Sequence, residues 1–175
     1  GADAPTYTAQ SAEPILHPGR SATVEARFPD GEVAIAGVVG ELHPRLVDDW
    51  GLRTKRVVIG ELSVAGLAGG TLPVVQAVPP PRVPPVERDL TVDVPDRVPA
   101  GDVTAAIRRA AGDLLVDAAL VGTYRGHPLG PDERSLTYRL RFGGGDKPPS
   151  DAEIDAAIGT IGASLTALLG ARIRG

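Results

Sequence analysis

The chain has 175 residues, enough for one large domain or two small ones. A hydrophobic content of 42% and a charged content of 23% are ordinary for a folded chain, and a net charge of −4 argues against a wholesale polyanion binder while leaving room for a local basic patch. With no cysteine, disulfides, thiolate metal sites and thiol nucleophiles are excluded; the apolar runs are far shorter than the roughly 20 residues a membrane helix needs, and no basic-then-apolar leader is present. Methionine is absent and the chain starts at Gly1, as expected of a chain that has lost its initiator or is cut from a longer protein.

Residues Gly1 to Glu13 carry little pattern and are expected to lie extended. HPGRS (His17–Ser21) is turn chemistry, because Pro18 fixes φ and Gly19 permits a positive one. VEARF (Val24–Phe28) alternates as a strand, PDG (Pro29–Gly31) is a hairpin turn, and EVAIAGVVGELH (Glu32–His43) is a long β-rich run. Its interior Gly37 and Gly40 predict a bulge or a close backbone approach. PRLVDDWGL (Pro44–Leu52) is a short helix with Pro44 in its first turn and Gly51 at its end, Asp48 and Asp49 solvated and Trp50 inward. RVVIGELSV (Arg56–Val64) is the next strand, and AGLAGG dissolves into a loop. Three strands and one short helix are thin for a self-sufficient core, so this segment is expected to close a larger sheet whose earlier strands lie upstream.

Leu72 to Leu90 holds six prolines, which block helix and central strand alike and predict an extended or polyproline II strap. Beyond it, RDLTVDVP (Arg88–Pro95) is a strand with Leu90, Val92 and Val94 inward. AGDVTAAIRRAAG (Ala100–Gly112) is a helix: Asp102 suits its positive N-terminal end, Val103, Ile107 and Ala110 form its stripe, and Gly112 closes it. Leu114 to Phe142 reads as two strands joined by a loop rich in Gly, Pro and Asp. In the second, Leu136, Tyr138, Leu140 and Phe142 point one way and Ser135, Thr137, Arg139 and Arg141 the other. Ser150 and Glu153 make a capping box for a helix whose apolar face is Ile154, Ile158, Ile161, Leu165 and Leu168 and which Gly170 ends. ARIR (Ala171–Arg174) is a short last strand with Ile173 inward.

The order β-α-β-β-α-β defines an α+β, ferredoxin-like arrangement in which both helices cover one sheet face and the first and third strands are central neighbours. Parity alone then lists the open face: Thr91 and Asp93; Gly122 and Tyr124; Ser135, Thr137, Arg139 and Arg141; Arg172 and Arg174. An exposed sheet bearing cations and a stacking ring is how several modules hold single-stranded RNA. A merely solvated polar face has the same parity. Tyr138 and Phe142 point inward, which disfavours the aromatic-on-sheet mode of RNP-type domains.

Catalytic signals are weak. His17, His43 and His127 each precede proline and sit at turns or strand ends, with no metal-ligand spacing such as HExxH. Glu41 and His43 share a strand face and are placed to pair. GGGDKPPS (Gly143–Ser150) lacks the GK[ST] order of a phosphate loop and reads as a loop before a capped helix.

HPGRSA, GVVGELHP, VIGELSVAGL, a proline strap ending PPVERDL, VPAGDV, TYRG, RSLTYRLRF and a terminal GARIR occur in this order. Together they resemble the C-terminal part of the bacterial phenylalanyl-tRNA synthetase β subunit, from about Leu16 onward. The resemblance implies three parts: residues 1–71 as the tail of a non-catalytic, class II-like core module contributing a partial antiparallel sheet, 72–86 as a linker, and 87–175 as a ferredoxin-fold anticodon-binding domain. It implies a cytoplasmic, tRNA-binding segment with no catalytic residues and no cofactor of its own. Its partners would be tRNA-Phe and the synthetase α subunit, in a heterotetramer, with neither DNA nor membrane. ATP and Mg²⁺ would serve the parent enzyme elsewhere. The family's anticodon contacts fall on Thr91, on Gly122 with Tyr124 in a D-x-Y motif, and on Ser135; Arg139, Arg141, Arg172 and Arg174 of the open face are expected to contact phosphates. Tyr124 and Ser135 match the pattern. Gly122 stands where the family has an acid, Thr91 where it has a small alanine, and DKPPSDAE (Asp146–Glu153) where it has DRTLTDEE. These departures leave a second expectation open: a structural, subunit-interacting piece of the same synthetase, or of a diverged paralogue, with weakened base reading.

Overall fold

Two compact units, Gly1–Ala77 and Val78–Gly175, make up the chain, and the computed structural model describes residues 5–9, 12–28, 31–54, 56–67, 83–143, 145 and 147–174. Pro29 and Asp30 of the expected hairpin turn, and residues 72–82 of the expected proline strap with 68–71 before them, lie outside the described residues.

In the first unit β1 (Thr6–Ala9), β2 (Leu16–Arg27), β3 (Val33–Leu42) and β4 (Val58–Leu62) form one antiparallel sheet in that order. The alternation of VEARF puts Val24, Ala26 and Phe28 on one face, where they form a small buried cluster with Ala36. Both expected irregularities of β3 are present. The register passes from Val24↔Gly37 to Glu25↔Ile35, which leaves Ala36 as the extra residue of a bulge, and Gly37 takes a φ of 155°. A Cβ on Gly37 would stand 2.0 Å from the Glu61 carbonyl oxygen, and one on Gly40 2.8 Å from Ser21 Cβ, so neighbouring backbone closes over both positions.

Elsewhere this unit departs from its sequence pattern. The patternless N-terminus supplies β1, an edge strand exposed along its length and paired to β2 from Thr6↔Glu25 to Ala9↔Ala22. HPGRS does not separate strands but lies within β2, between the pairs Leu16↔Leu42 and Ser21↔Gly40; its turn chemistry makes a bulge in which the Gly19 N–H donates to His17 Nδ1 at 3.0 Å. Trp50 is 64% exposed rather than inward, because α1 (Pro44–Asp49) is a six-residue helix that buries only Val47. AGLAGG begins as a short helix, α2 (Val64–Leu67), with the Leu67 N–H donating to the Ser63 carbonyl at 3.0 Å.

The second unit follows its pattern closely. β5 (Val86–Pro95), α3 (Ala100–Ala111), a 3-10 turn at Gly112–Leu114, β6 (Leu115–Tyr124), β7 (Glu133–Phe142), α4 (Asp151–Leu169) and β8 (Arg172–Arg174) alternate as βαββαβ. The sheet runs β6-β7-β5-β8 with every neighbour antiparallel, so β5 and β7 are central. Leu90, Val92 and Val94 from β5, Leu136, Tyr138, Leu140 and Phe142 from β7, Val103 and Ile107 from α3, and Ile154, Ile161 and Leu165 from α4 share one core. Tyr138 is fully buried, and its hydroxyl donates to the Ala100 carbonyl at 2.9 Å, which ties the central strand to the first turn of α3; burial pushes that phenol up from its ordinary pKa.

Both ends of α4 are built as expected. Ser150 and Glu153 form the reciprocal capping box, and Gly170 takes the left-handed cap at φ 64°, with the Ala171 N–H reaching back to the Leu165 carbonyl. Helical periodicity serves Leu168 and Leu169 alike in the last turn; the core takes Leu169 and leaves Leu168 exposed, against expectation. Ile173, opposite Val92 on the edge strand, is half-buried over α4 at Gly162, where a Cβ would meet its Cδ1 at 2.6 Å. α4 is also more apolar than the sequence reading allowed: an 18-residue window reaches a mean hydropathy of 1.3, long and apolar enough to cross a membrane. Its Ile154, Ile161 and Leu165 are nonetheless spent on the core of this unit.

Candidate nucleic-acid interface

Directly opposed residues on antiparallel strands share a face, so the registers assemble the open surface row by row. Tyr124, Ser135, Asp93 and Arg172 lie across β6, β7, β5 and β8 in one row; Gly122, Thr137, Thr91 and Arg174 form the next. Ala119, Arg139 and Asp89 make a third row, and Asp117, Arg141 and Glu87 a fourth. Every residue that parity placed on the open face is brought together there. One step needed more than parity. On β6 the register passes from Leu120↔Tyr138 to Gly122↔Thr137, so Val121 is a bulge residue that keeps Leu120 on the core side and Gly122 on the open side.

Each of the four arginines on this face is ion-paired. Arg139 grips Asp89 with both nitrogens, Nε to Oδ1 at 3.0 Å and Nη2 to Oδ2 at 3.1 Å. Arg141 Nε donates to Glu87 Oε1 at 2.9 Å, Arg172 Nη2 to Glu133 Oε1 at 2.9 Å, and Arg174 Nη2 to Asp93 Oδ2 at 3.2 Å. The hydrogen bonds from Arg139 hold the Asp89 carboxyl below its ordinary pKa, and Asp89 in turn raises the guanidinium. The acids Glu87, Asp89 and Glu133 were missed by the sequence reading, which began β5 at Arg88. The signal was available: Glu87, Asp89, Thr91 and Asp93 alternate with the buried Leu90, Val92 and Val94.

Ser135 is buried, and its hydroxyl donates to the Asp93 carboxylate. Thr91 and Thr137 bring their hydroxyls to 3.1 Å. A Cβ on Gly122 would meet Thr137 Cβ at 3.5 Å, an ordinary contact, so this position is an open notch in the row. Beside it the Tyr124 ring is half-exposed, and its hydroxyl donates to the His127 carbonyl at 2.9 Å. Gly126, at φ 135°, lies under that hydroxyl, where a Cβ would stand 3.0 Å away. The β6–β7 loop thus anchors the tip of the ring and leaves a face for stacking.

The first unit gathers charge differently. Glu41 is buried and takes Arg20 Nε at 2.6 Å on one oxygen and Arg56, through Nε at 2.9 Å and through Nη2, on the other. The hydrogen bonds from Arg56, then those from Arg20, hold its carboxyl below the ordinary value, against the opposing pull of burial. Glu41 therefore does not pair with His43, whose Nδ1 instead accepts from the Arg45 N–H at 3.2 Å and caps α1. Among the described residues no group of three or more His, Asp or Glu side chains is arranged to hold a metal ion.

A βαββαβ layer with helices on one face and a polar, arginine-bearing sheet on the other is the architecture of a ferredoxin-like binding domain. Residues 81–174 match the family model described as ferredoxin-fold anticodon binding domain, and residues 1–64 match the phenylalanyl tRNA synthetase beta chain CLM domain. Similar over nearly the whole chain are phenylalanine–tRNA ligase β subunits. That of Moorella thermoacetica is 38% identical over 169 residues, 97% of this chain and 20% of the relative. That of Symbiobacterium thermophilum is 38% identical over 165 residues, 94% of this chain and 18% of the relative, and that of Leifsonia xyli 38% over 165 residues, 94% and 19%. The chain belongs to the ferredoxin-fold anticodon-binding family. It spans about a fifth of the length of the curated relatives it matches.

Proposed function

We propose that the chain is a non-catalytic part of a phenylalanine–tRNA ligase β subunit that holds the anticodon stem-loop of tRNA-Phe on the open face of its second unit during aminoacylation in the cytoplasm. The observation that carries this reading is the half-exposed Tyr124 ring sharing one sheet face with four arginines in a domain of this family. Tyr124 stacks on an anticodon base, a contact worth about 1–3 kcal/mol. Arg139, Arg141, Arg172 and Arg174 reach the flanking phosphates. Thr91 and the notch at Gly122 floor the base site, and Ser135, whose hydroxyl donates to Asp93, orients that carboxylate beneath it. Adenylate chemistry with ATP and Mg²⁺ would belong to the α subunit of the assembled enzyme.

Titration of the full chain with a tRNA-Phe transcript at several salt concentrations tests this. Affinity should rise as salt falls, and Tyr124→Ala should weaken binding by about 5- to 150-fold with no change in salt slope, because no charge is lost. Binding that ignores salt, or is unchanged by that substitution, defeats the proposed face.

A second reading is favoured by the first unit, where Ile35, Val58 and Val64 are 71%, 69% and 80% exposed. Apolar side chains so open fit a surface covered by another part of the synthetase, the α subunit included, and on this reading the chain is chiefly a docking piece. Gly122→Asp separates the two, since a Cβ at the notch meets only ordinary contacts. A gain in affinity for tRNA-Phe over other tRNAs supports the RNA reading; no binding with either residue supports docking.

A further inference from the structure

The ion pairs of the open face pose a problem for any phosphate ligand. Arg139 and Arg141 are half-exposed, yet each already holds a carboxylate from the neighbouring strand. Across four rows each guanidinium group of the face meets a carboxylate, Glu87, Asp89, Asp93 or Glu133, and Asp117 at the β6 edge is taken by Arg108. The remaining N–H donors of Arg139 belong to a guanidinium that is already neutralised, and a phosphate oxygen that takes its two-pronged edge displaces Asp89 from a planar fork that suits either anion. It exchanges one anion for another, and counterion release, the usual source of polyanion affinity, is reduced, though not abolished, for a cation already paired.

Such a face discriminates. A ligand made only of phosphates, such as a duplex backbone, gains little from it. A ligand that also offers an unstacked base gains the Tyr124 contact in the first row, and that contact offsets the exchange at the arginines. The two acids best placed for this are Glu87 and Asp89. They pair with arginines on the central strand, and, unlike Asp93, whose side chain is only 13% exposed and holds Ser135 as well, they are about half-exposed and free to rehydrate when displaced.

We propose that Glu87 and Asp89 are specificity-determining residues: by occupying Arg141 and Arg139 they mask the face against structureless polyanions and reserve it for RNA that presents a splayed base beside its phosphates. This rests on the RNA-binding reading of the same face. Neither acid touches a reacting group, and neither would be expected to contribute attraction of its own to RNA.

The test compares the full chain with Glu87→Gln/Asp89→Asn, which removes two charges and keeps the shapes. The probes are a tRNA-Phe anticodon stem-loop and a blunt RNA duplex of equal length, each titrated across salt concentrations. The variant should bind the duplex roughly tenfold or more tightly at low salt, with a salt slope steeper by about 1 to 2, because two cations are uncovered. Stem-loop affinity should rise less, so the preference for the loop shrinks. Equal gains for both probes, no gain, or a loss for both would overturn the proposal. If the wild-type chain binds neither probe while the variant gains the duplex, the masking stands and the tRNA reading falls; if neither protein binds either probe, both fall. Since Asp89 also staples β5 to β7, unfolding curves accompany the titrations. Should the double variant unfold, Glu87→Gln alone carries the same test, with a smaller duplex gain and a slope steeper by about one expected.

Discussion

The two units share one ingredient and treat its apolar face in opposite ways. Each has a four-stranded antiparallel sheet. In the second, α3 and α4 lie over one face and bury Leu136, Tyr138, Leu140 and Phe142 completely. In the first, the helices among the described residues are a six-residue α1 and a four-residue α2, the buried cluster is Val24, Ala26, Phe28 and Ala36, and Val58, Leu62 and Val64 stay open. Alternation says which side of a strand is apolar; only long amphipathic helices in the same chain decide whether that side is covered. A sheet with its own helices keeps its apolar side dry and its other face polar, whereas a sheet without them keeps apolar side chains exposed.

The comparison breaks most visibly at a matched pair of phenylalanines. Phe142→Ala removes a fully buried ring from the larger core and should cost about 3–5 kcal/mol, while Phe28→Ala, in a cluster of a few side chains, should cost distinctly less. Urea unfolding followed by circular dichroism measures both. Equal losses would mean that the first core is as closely packed as the second.

A matched pair of glycines sharpens it. Gly37→Ala drives a methyl into the Glu61 backbone carbonyl at a φ of 155°, and neither side can yield cheaply; about 1–3 kcal/mol or more should be lost from the first unit. Gly122→Ala, facing Thr137 at 3.5 Å, should change stability by a few tenths of a kcal/mol at most, although both glycines lie in strands. Thermal melts of the two variants decide whether close approach or strand propensity governs these positions.

What could be read from the sequence follows the same division. β7 alternates without interruption, Ser150 and Glu153 spell out a helix start, and Gly170 a helix end, so local rules and tertiary packing agree across the second unit. Its open face was legible for the same reason: once β5 and β7 are central, parity places Tyr124 and the arginines. Of the acids that neutralise those arginines Asp93 was placed on the face and Glu87, Asp89 and Glu133 were not; which acid meets which arginine depends on register, and register is set by pairing across about fifty residues. In the first unit the local signals were weak or used for something else. β1 is exposed on every residue and so has no alternation to show. HPGRS has the residues of a turn and spends them on a bulge inside β2. Trp50 reads as core by its chemistry, yet a six-residue helix has too little length to carry it inward.

The smallest expected effect concerns charge, where the units differ again. Glu41 is buried between Arg20 and Arg56, whereas Asp89 is half-exposed against Arg139 alone; both carboxyls are held below their ordinary values by hydrogen bonds from arginine. A carboxyl with a depressed folded-state pKa contributes stability that is fully present above its unfolded value, 4.5 for Glu41, and that is lost as pH falls through the folded value. Wild type and Glu41→Gln should therefore differ in stability at neutral pH and converge as the solution is taken below about pH 4. Asp89→Asn should converge in the same direction from a smaller starting gap, because solvent already screens an exposed pair. The readout is the unfolding midpoint from pH 7 to pH 3. A Glu41→Gln gap that stays constant over that range would mean that packing around the side chain, not its charge between two guanidinium groups, is what the first sheet relies on.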